Sequence, residues 1–136
     1  MTVIGITRTP RKLEHFGQIC AYADVFKVVK ELDYLVVLAP YTPENEGIVN
    51  ANVFAAMKES AFLINLSRGK VIDDEALISS LTNGEFTGAG LGVFALEPLP
   101  KLSPLWDLDN VIITPHMGGL SEAYIKQAMQ VIERNL

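Results

Sequence analysis

The chain has 136 residues, of which 49% are hydrophobic and 20% charged, and its formal net charge is −5. That is enough apolar material for one folded domain and too little charge for a disordered chain. The acidic balance, with no run of Lys and Arg, excludes a nucleic-acid surface and a polybasic membrane contact.

Cys20 is the only cysteine. It has no partner for an internal disulfide, which fits a reducing compartment. Its apolar surroundings and the lack of a nearby base favour a core thiol over a nucleophile. No apolar run approaches the roughly 18–20 residues of a membrane helix. The amino terminus shows no charged region followed by an apolar core and a cleavage site, so the cytoplasm is the expected location. No metal site is expected.

In chain order, residues 1–6 read as a buried strand. Thr7-Arg8-Thr9-Pro10-Arg11 forms the turn after it, with Pro10 as the stop. A short helix is expected over 12–16, ended by Gly17, and a short strand over 18–21. Asp24 is placed to cap a helix over 25–32, in which Val25, Val28, Val29 and Leu32 share one face. The run 34–38 is continuously apolar, which suits a parallel strand covered on both faces. Pro40 and Pro43 close it. A short helix over 52–57 and a strand over 61–65 follow.

Asp73 predicts an N-cap for a helix over 74–81, and Asn83-Gly84 predicts its stop. The next strand covers 88–94. Pro98, Pro100 and Pro104 predict a rigid, extended loop anchored by Trp106. A last strand covers 110–114. Ser121 is placed to cap a final helix with Ile125, Ala128, Met129, Ile132 and Leu136 on one face. His15 reads as a surface histidine.

Strands alternating with helices imply βαβ units and a parallel sheet, hence one domain of the α/β class. Three apolar runs then end in polar groups that bear chemistry: Arg68, Glu97 and His116. Open α/β sheets bind ligands at the carboxyl ends of their strands. An anion clamp, an acid and a titratable base gathered there make a candidate catalytic set. Each has a plainer reading in isolation: Arg68 as a solvated loop residue, Glu97 as a surface acid, His116 as a core histidine.

Three segments in order carry a resemblance. Asn65-Leu66-Ser67-Arg68-Gly69, the stretch from Gly90 through Glu97 to Pro98, and Thr114-Pro115-His116 together resemble the signature set of the D-isomer-specific 2-hydroxyacid dehydrogenases. The resemblance covers essentially the whole chain. It implies oxidoreduction, with hydride passing between a nicotinamide cofactor and a small 2-oxo or 2-hydroxy acid. Arg68 is then the carboxylate clamp, since a planar guanidinium matches a 2-oxo acid bidentately. His116 is the acid/base, and Glu97 fixes its tautomer and favours its protonated form.

The resemblance also assigns cofactor contacts. Arg8 and Thr9 follow the strand that ends beside the adenosine ribose. With arginines and no acid there, NADP is favoured, and NAD is the alternative; Arg8 as a solvated turn residue stays open. Pro40 and Thr42 lie on the loop that runs along the cofactor, or form a plain turn made by two prolines. Leu66, Ser67 and Gly92 complete the set. Gly118 and Gly119 let backbone approach the nicotinamide edge, or simply lead into the last helix.

Two departures stand out. The family usually carries Asp where this chain has Gly92, near the nicotinamide carboxamide. The Gly-x-Gly-x-x-Gly fingerprint that cradles the pyrophosphate is absent from the sequence. The expected fold is therefore an incomplete Rossmann-type parallel sheet that lacks the first strand and glycine-rich loop. Residues 1–136 are expected to form a partial NAD(P)-binding domain, without the substrate domain. Little turnover is expected of this chain alone, and a homo-oligomer is expected. The missing strand is central in the 3-2-1-4-5-6 order, so its neighbours, 1–6 and 34–38, should either pair directly or admit another chain. A different class of reading is a non-catalytic nucleotide-binding or interaction module, as in corepressors that resemble this family.

Overall fold

The structure, a computed structural model, describes residues 1–119, 121 and 123–135. Among the described residues, six short parallel strands are distributed over two sheets. β1 (Ile4–Thr7) pairs with β2 (Gln18–Ala21). β3 (Tyr34–Val37), β4 (Phe62–Asn65), β5 (Gly88–Leu91) and β6 (Val111–Ile113) follow one another in a four-stranded sheet. The α/β, Rossmann-type class holds.

Helices α1 (Val25–Val29), α2 (Ala51–Ala55) and α3 (Asp74–Thr82) build the core with one face of the larger sheet. Alternate strand residues supply it: Leu35 and Val37, Leu63, then Ala89 and Leu91 are buried against Val29, Phe54, Leu77 and Leu81. Phe54 stacks on Phe86 at 5.6 Å between ring centroids. The caps follow local chemistry. Asp73 accepts from the Ala76 amide at 3.1 Å, as expected. Gly84, at φ 68°, ends the turn after α3. Asn50 caps α2 by accepting from the Asn52 and Val53 amides, a cap the sequence reading passed over.

Several expectations need correction. Residues 12–16 form no helix but a turn, with His15 at φ 71°. Five residues without a cap do not offset the cost of helix nucleation. α1 stops at Val29, and the chain closes through tight turns in which Glu31 and Leu32 donate to Val28 and Val29. β5 ends at Leu91, because β6 offers only three partners, up to Ile113. The proline-rich segment is not extended throughout: Pro104–Asp107 is a 3₁₀ turn, where Ser103 accepts from the Leu105 amide. Trp106 does tie the segment down, donating its indole N–H to the Pro100 carbonyl at 2.9 Å.

Two corrections concern the sheet. β3 is not covered on both faces: Leu35 and Val37 are buried, while Tyr34 and Val36 are exposed. β1 and β3 do not pair. Each bonds only to its other neighbour, and the connection through α1 sets β3 down outside ladder distance of β1. The final helix, α4 (Tyr124–Asn135), buries no residue. Leu136 lies outside the described residues.

Cys20 is buried, and its thiol donates to the Gly5 carbonyl at 3.6 Å. Burial, and after it the charge of Asp24, pushes the thiol pKa up. An inert core thiol is the outcome.

Candidate functional site

The turn that presents Arg68 is built by a buried asparagine. β4 ends in Asn65, 1% exposed. Its side-chain oxygen accepts from the Ser67 amide at 3.1 Å and from the Ser67 hydroxyl at 3.3 Å. Its nitrogen donates to the Arg68 carbonyl at 3.2 Å. A buried amide satisfied on both sides locks residues 65–68 into one shape. Arg68 is extended, at φ −145° and ψ 140°. One guanidinium nitrogen donates to the Ser67 carbonyl at 2.6 Å, which leaves most of the five-donor fork for an anion. Gly69 follows because a Cβ there would collide with the backbone of Phe94 and Ala95.

That contact brings in the second strand end. Beyond β5 the chain runs through Gly92 to Phe94, whose amide donates to Glu97 Oε1 at 3.0 Å. Glu97 Oε2 faces His116 Nδ1 at 2.9 Å. The third strand end, past β6, supplies His116 through Thr114 and Pro115. With Nδ1–H given to the carboxylate, Nε2 is the ring nitrogen available for proton transfer, and among the described residues nothing engages it. The Glu97 carboxyl is held below the usual glutamate range. The Phe94 amide is the main cause, followed by the hydrogen bond from His116; the charges of His116 and Arg68 add to it, and burial opposes it.

Arg68, Glu97 and His116 line one cavity of about 740 Å³, together with Pro40, Leu66 and Ser67. Tyr41 and Lys70 belong to the same wall, with the Lys70 ammonium 5.7 Å from the Tyr41 ring centroid. Asn65, Tyr41 and Lys70 escaped the sequence reading. A polar residue closing an apolar run was the available signal for Asn65, and a second cation two residues after Arg68 for Lys70.

A second cavity, of about 600 Å³, lies beside β1. It gathers Arg8, Thr9, Pro40 and Thr42, with Arg11 as a second cation and no carboxylate in its lining. Pro40 is thus shared by both cavities. Asn45, 4% exposed, holds this segment by donating to the Pro40 carbonyl and accepting from the Thr42 amide, each at 2.8 Å. Three expected contacts line neither cavity. Gly118 and Gly119 are exposed and surrounded by open space. Gly92 is buried, its amide donating to the Asn65 carbonyl at 3.0 Å. A Cβ at Gly92 would stand 3.2 Å from Leu66 Cδ2 and 3.3 Å from Thr114 Oγ1.

Among proteins of known sequence, the chain is similar to glyoxylate/hydroxypyruvate reductase B of Salmonella newport. The two are 45% identical over 98 residues, which is 72% of this chain and 30% of the reductase. The reductase B of Escherichia fergusonii is 43% identical over 110 residues, 81% of this chain and 33% of that protein. The chain therefore spans about a third of the length of the curated relatives it matches. Among solved structures, a D-isomer specific 2-hydroxyacid dehydrogenase from Xanthobacter autotrophicus in complex with NADPH and MES superposes with a TM-score of 0.85 at 37% identity, covering 97% of this chain and 55% of that one. The family model for the NAD binding domain of the D-isomer specific 2-hydroxyacid dehydrogenases matches residues 1–118. A match of that extent, on a fold that delivers the three motifs to one cavity, makes the chain a member of this family over its NAD-binding domain.

Proposed function

We propose that this chain carries the catalytic side of an NADP-dependent D-2-hydroxyacid dehydrogenase, acting on a small 2-oxo or 2-hydroxy acid in the cytoplasm as a homo-oligomer. The observation that carries this reading is the His116–Glu97 pair at 2.9 Å in the same cavity as the free fork of Arg68. Arg68 binds the carboxylate of the acid and orients its C2 oxygen. His116 Nε2 gives a proton to that oxygen in reduction and takes it back in oxidation. Glu97 keeps Nδ1 protonated and the ring aligned, as a positioning residue.

The nicotinamide, when bound, supplies the ring that exchanges hydride with C2. The residues present fit the adenosine end of the cofactor. The second cavity offers Arg8 and Arg11 without a carboxylate, which suits a 2′-phosphate and not a ribose hydroxyl that seeks an acceptor. Thr9, Pro40 and Thr42 line the path onward, and Leu66 and Ser67 continue it into the first cavity. Gly92, Gly118 and Gly119 are assigned to the nicotinamide end by resemblance. The sequence carries no glycine fingerprint for the pyrophosphate.

Calorimetry with NADPH and NADH tests the cofactor half. NADPH binds more tightly, and Arg8→Ala narrows the difference; equal affinities in the unaltered chain overturn the NADP reading. For the acid, turnover of glyoxylate or hydroxypyruvate followed by nicotinamide absorbance is weak with the chain alone and is lost in Arg68→Ala and His116→Ala. Activity that survives both substitutions overturns the site. A second reading, a non-catalytic nucleotide-binding or interaction module, is favoured by Gly92 in place of an acid. Nucleotide binding with no turnover under any of these conditions supports it.

A further inference from the structure

Alternation along β4 puts Asn65 where an apolar side chain is the usual occupant. Leu63 and Asn65 point to the same, core-facing side of the strand and are 0% and 1% exposed. A buried amide there is costly unless its polar atoms are bonded. Its side-chain bonds do not serve the sheet. Leu66 still bonds β3, donating to the Val37 carbonyl at 3.3 Å. The Asn65 amide bonds only the two residues beyond Leu66, where the chain has left the ladder.

The peptide between Ser67 and Arg68 is bracketed by this one side chain. Oδ1 accepts from the Ser67 amide on one side of it, and Nδ2 donates to the Arg68 carbonyl on the other. That fixes the direction of the Ser67 carbonyl, which in turn accepts from the Arg68 guanidinium at 2.6 Å. Three hydrogen bonds in series therefore run from the Asn65 amide to the guanidinium. The Asn65 backbone carbonyl accepts from the Gly92 amide at 3.0 Å, which ties the same residue to the end of β5. Asn65 and Ser67 are both buried, so the network is closed inside the chain.

We propose that Asn65 is the positioning residue of the anion clamp: by bracketing the Ser67–Arg68 peptide, its amide holds the Arg68 guanidinium in its acid-binding orientation before the acid arrives. The inference rests on the reading of Arg68 as the carboxylate clamp. A long arginine side chain loses rotamer freedom when it closes on a ligand, and the tether removes that loss from the binding step. Donor and acceptor are both required. In Asn65→Asp the ionised carboxylate keeps the acceptor and lacks the donor, whereas the neutral acid regains one O–H. Burial favours the neutral form, so the change between them falls above the usual aspartate range.

The test titrates oxalate, an analogue of a 2-oxo acid that cannot be reduced, and follows Arg68 Nε by NMR. In the unaltered chain without ligand, Arg68 Nε should have an order parameter near that of rigid backbone, about 0.85. Asn65→Asp at pH 8 should lower it below about 0.6 and weaken oxalate binding about 10-fold or more, and pH 5 should restore both. Affinities are compared as the ratio of variant to unaltered chain at each pH, which removes the titration of His116 and Glu97 that the two share. Asn65→Leu, of similar size and without polar atoms, should show the loss at both pH values. An Arg68 side chain already disordered in the unaltered chain overturns the proposal with no variant needed. So does a folded Asn65 variant that leaves Arg68 order and oxalate affinity unchanged, since the amide then serves the fold alone. A loss in Asn65→Asp that pH 5 does not reverse overturns the role of the donor. If Arg68→Ala does not weaken oxalate, the clamp reading fails and this inference with it; if Arg68→Ala weakens it and the Asn65 variants do not, only this inference fails.

Discussion

The Glu97 carboxylate accepts from the Phe94 amide with one oxygen and meets His116 with the other. Its depressed pKa is therefore a stability term with a definite sign. A carboxyl held below its unfolded value, about 4.3, stabilises the fold above that pH and loses the effect as pH falls through its folded value. Unfolding of the chain and of Glu97→Gln in urea should differ by a constant amount above about pH 5, and the difference should shrink at lower pH. In His116→Ala, carbon-13 titration of Glu97 should still show a depressed carboxyl, smaller than in the unaltered chain, since the Phe94 amide remains as its largest cause. Gly92 offers a second test. The tightest contacts at its Cβ position are the tip of Leu66 and the Thr114 hydroxyl, side-chain atoms that can turn aside by a few tenths of an ångström, while the Asn65 carbonyl stands at an ordinary 3.7 Å. Gly92→Asp should keep the melting temperature within about 4 °C while tightening NADPH binding by calorimetry. At this scale the catalytic candidates could be read from the sequence, because each closes an apolar run at a fixed place. Asn65 and Asn45 could not, because their role is a set of hydrogen bonds closed by the tertiary fold.

At the scale of elements, the segment from Phe94 to Glu97 is set by what it rests on. Gly69 leaves the space that the Phe94–Ala95 backbone fills, so one missing side chain joins the Arg68 turn to the Glu97 turn. Gly69→Ala places its methyl against backbone, which cannot rotate away. A loss of about 1–3 kcal/mol is expected from urea melts, together with a chemical-shift change at His116 that Lys70→Ala, its exposed neighbour, does not produce. Element identity was legible wherever a cap or a continuous apolar run marked it, as at Asp73 and Tyr34–Val37. It failed at residues 12–16, where apolar Leu13 and Phe16 have helical spacing but no cap and too few residues to hold a turn of helix. Strand lengths were overread at 1–6 and 88–94 for one physical reason. A strand extends only as far as its partner, and the partners, β2 and β6, are short.

For the molecule as a whole, the split into two sheets divides stability unevenly. The four-stranded sheet shares its core with three helices, whereas β1 and β2 ladder only with each other and reach that core through Ile6, and two-stranded sheets are marginal alone. Amide exchange should be fast at Ile4–Thr7 and Gln18–Ala21 and slow at Leu63 and Leu91, each reporting its own opening free energy. Uniform protection across both sheets would mean that they unfold as one unit. The sequence reading found the parallel class but not this division, since which strands meet depends on where the crossover through α1 lands. Pro40 spans the same divide, as a wall of both cavities pinned by Asn45. A ligand that stills this wall from one side lowers the ordering cost for a ligand on the other. NADPH and the 2-oxo acid should therefore bind with positive cooperativity, and the factor must be the same in either order of addition. Two calorimetric titrations measure it, and Asn45→Ala, which loosens the wall and so enlarges the ordering cost that the two ligands share, should raise both factors together.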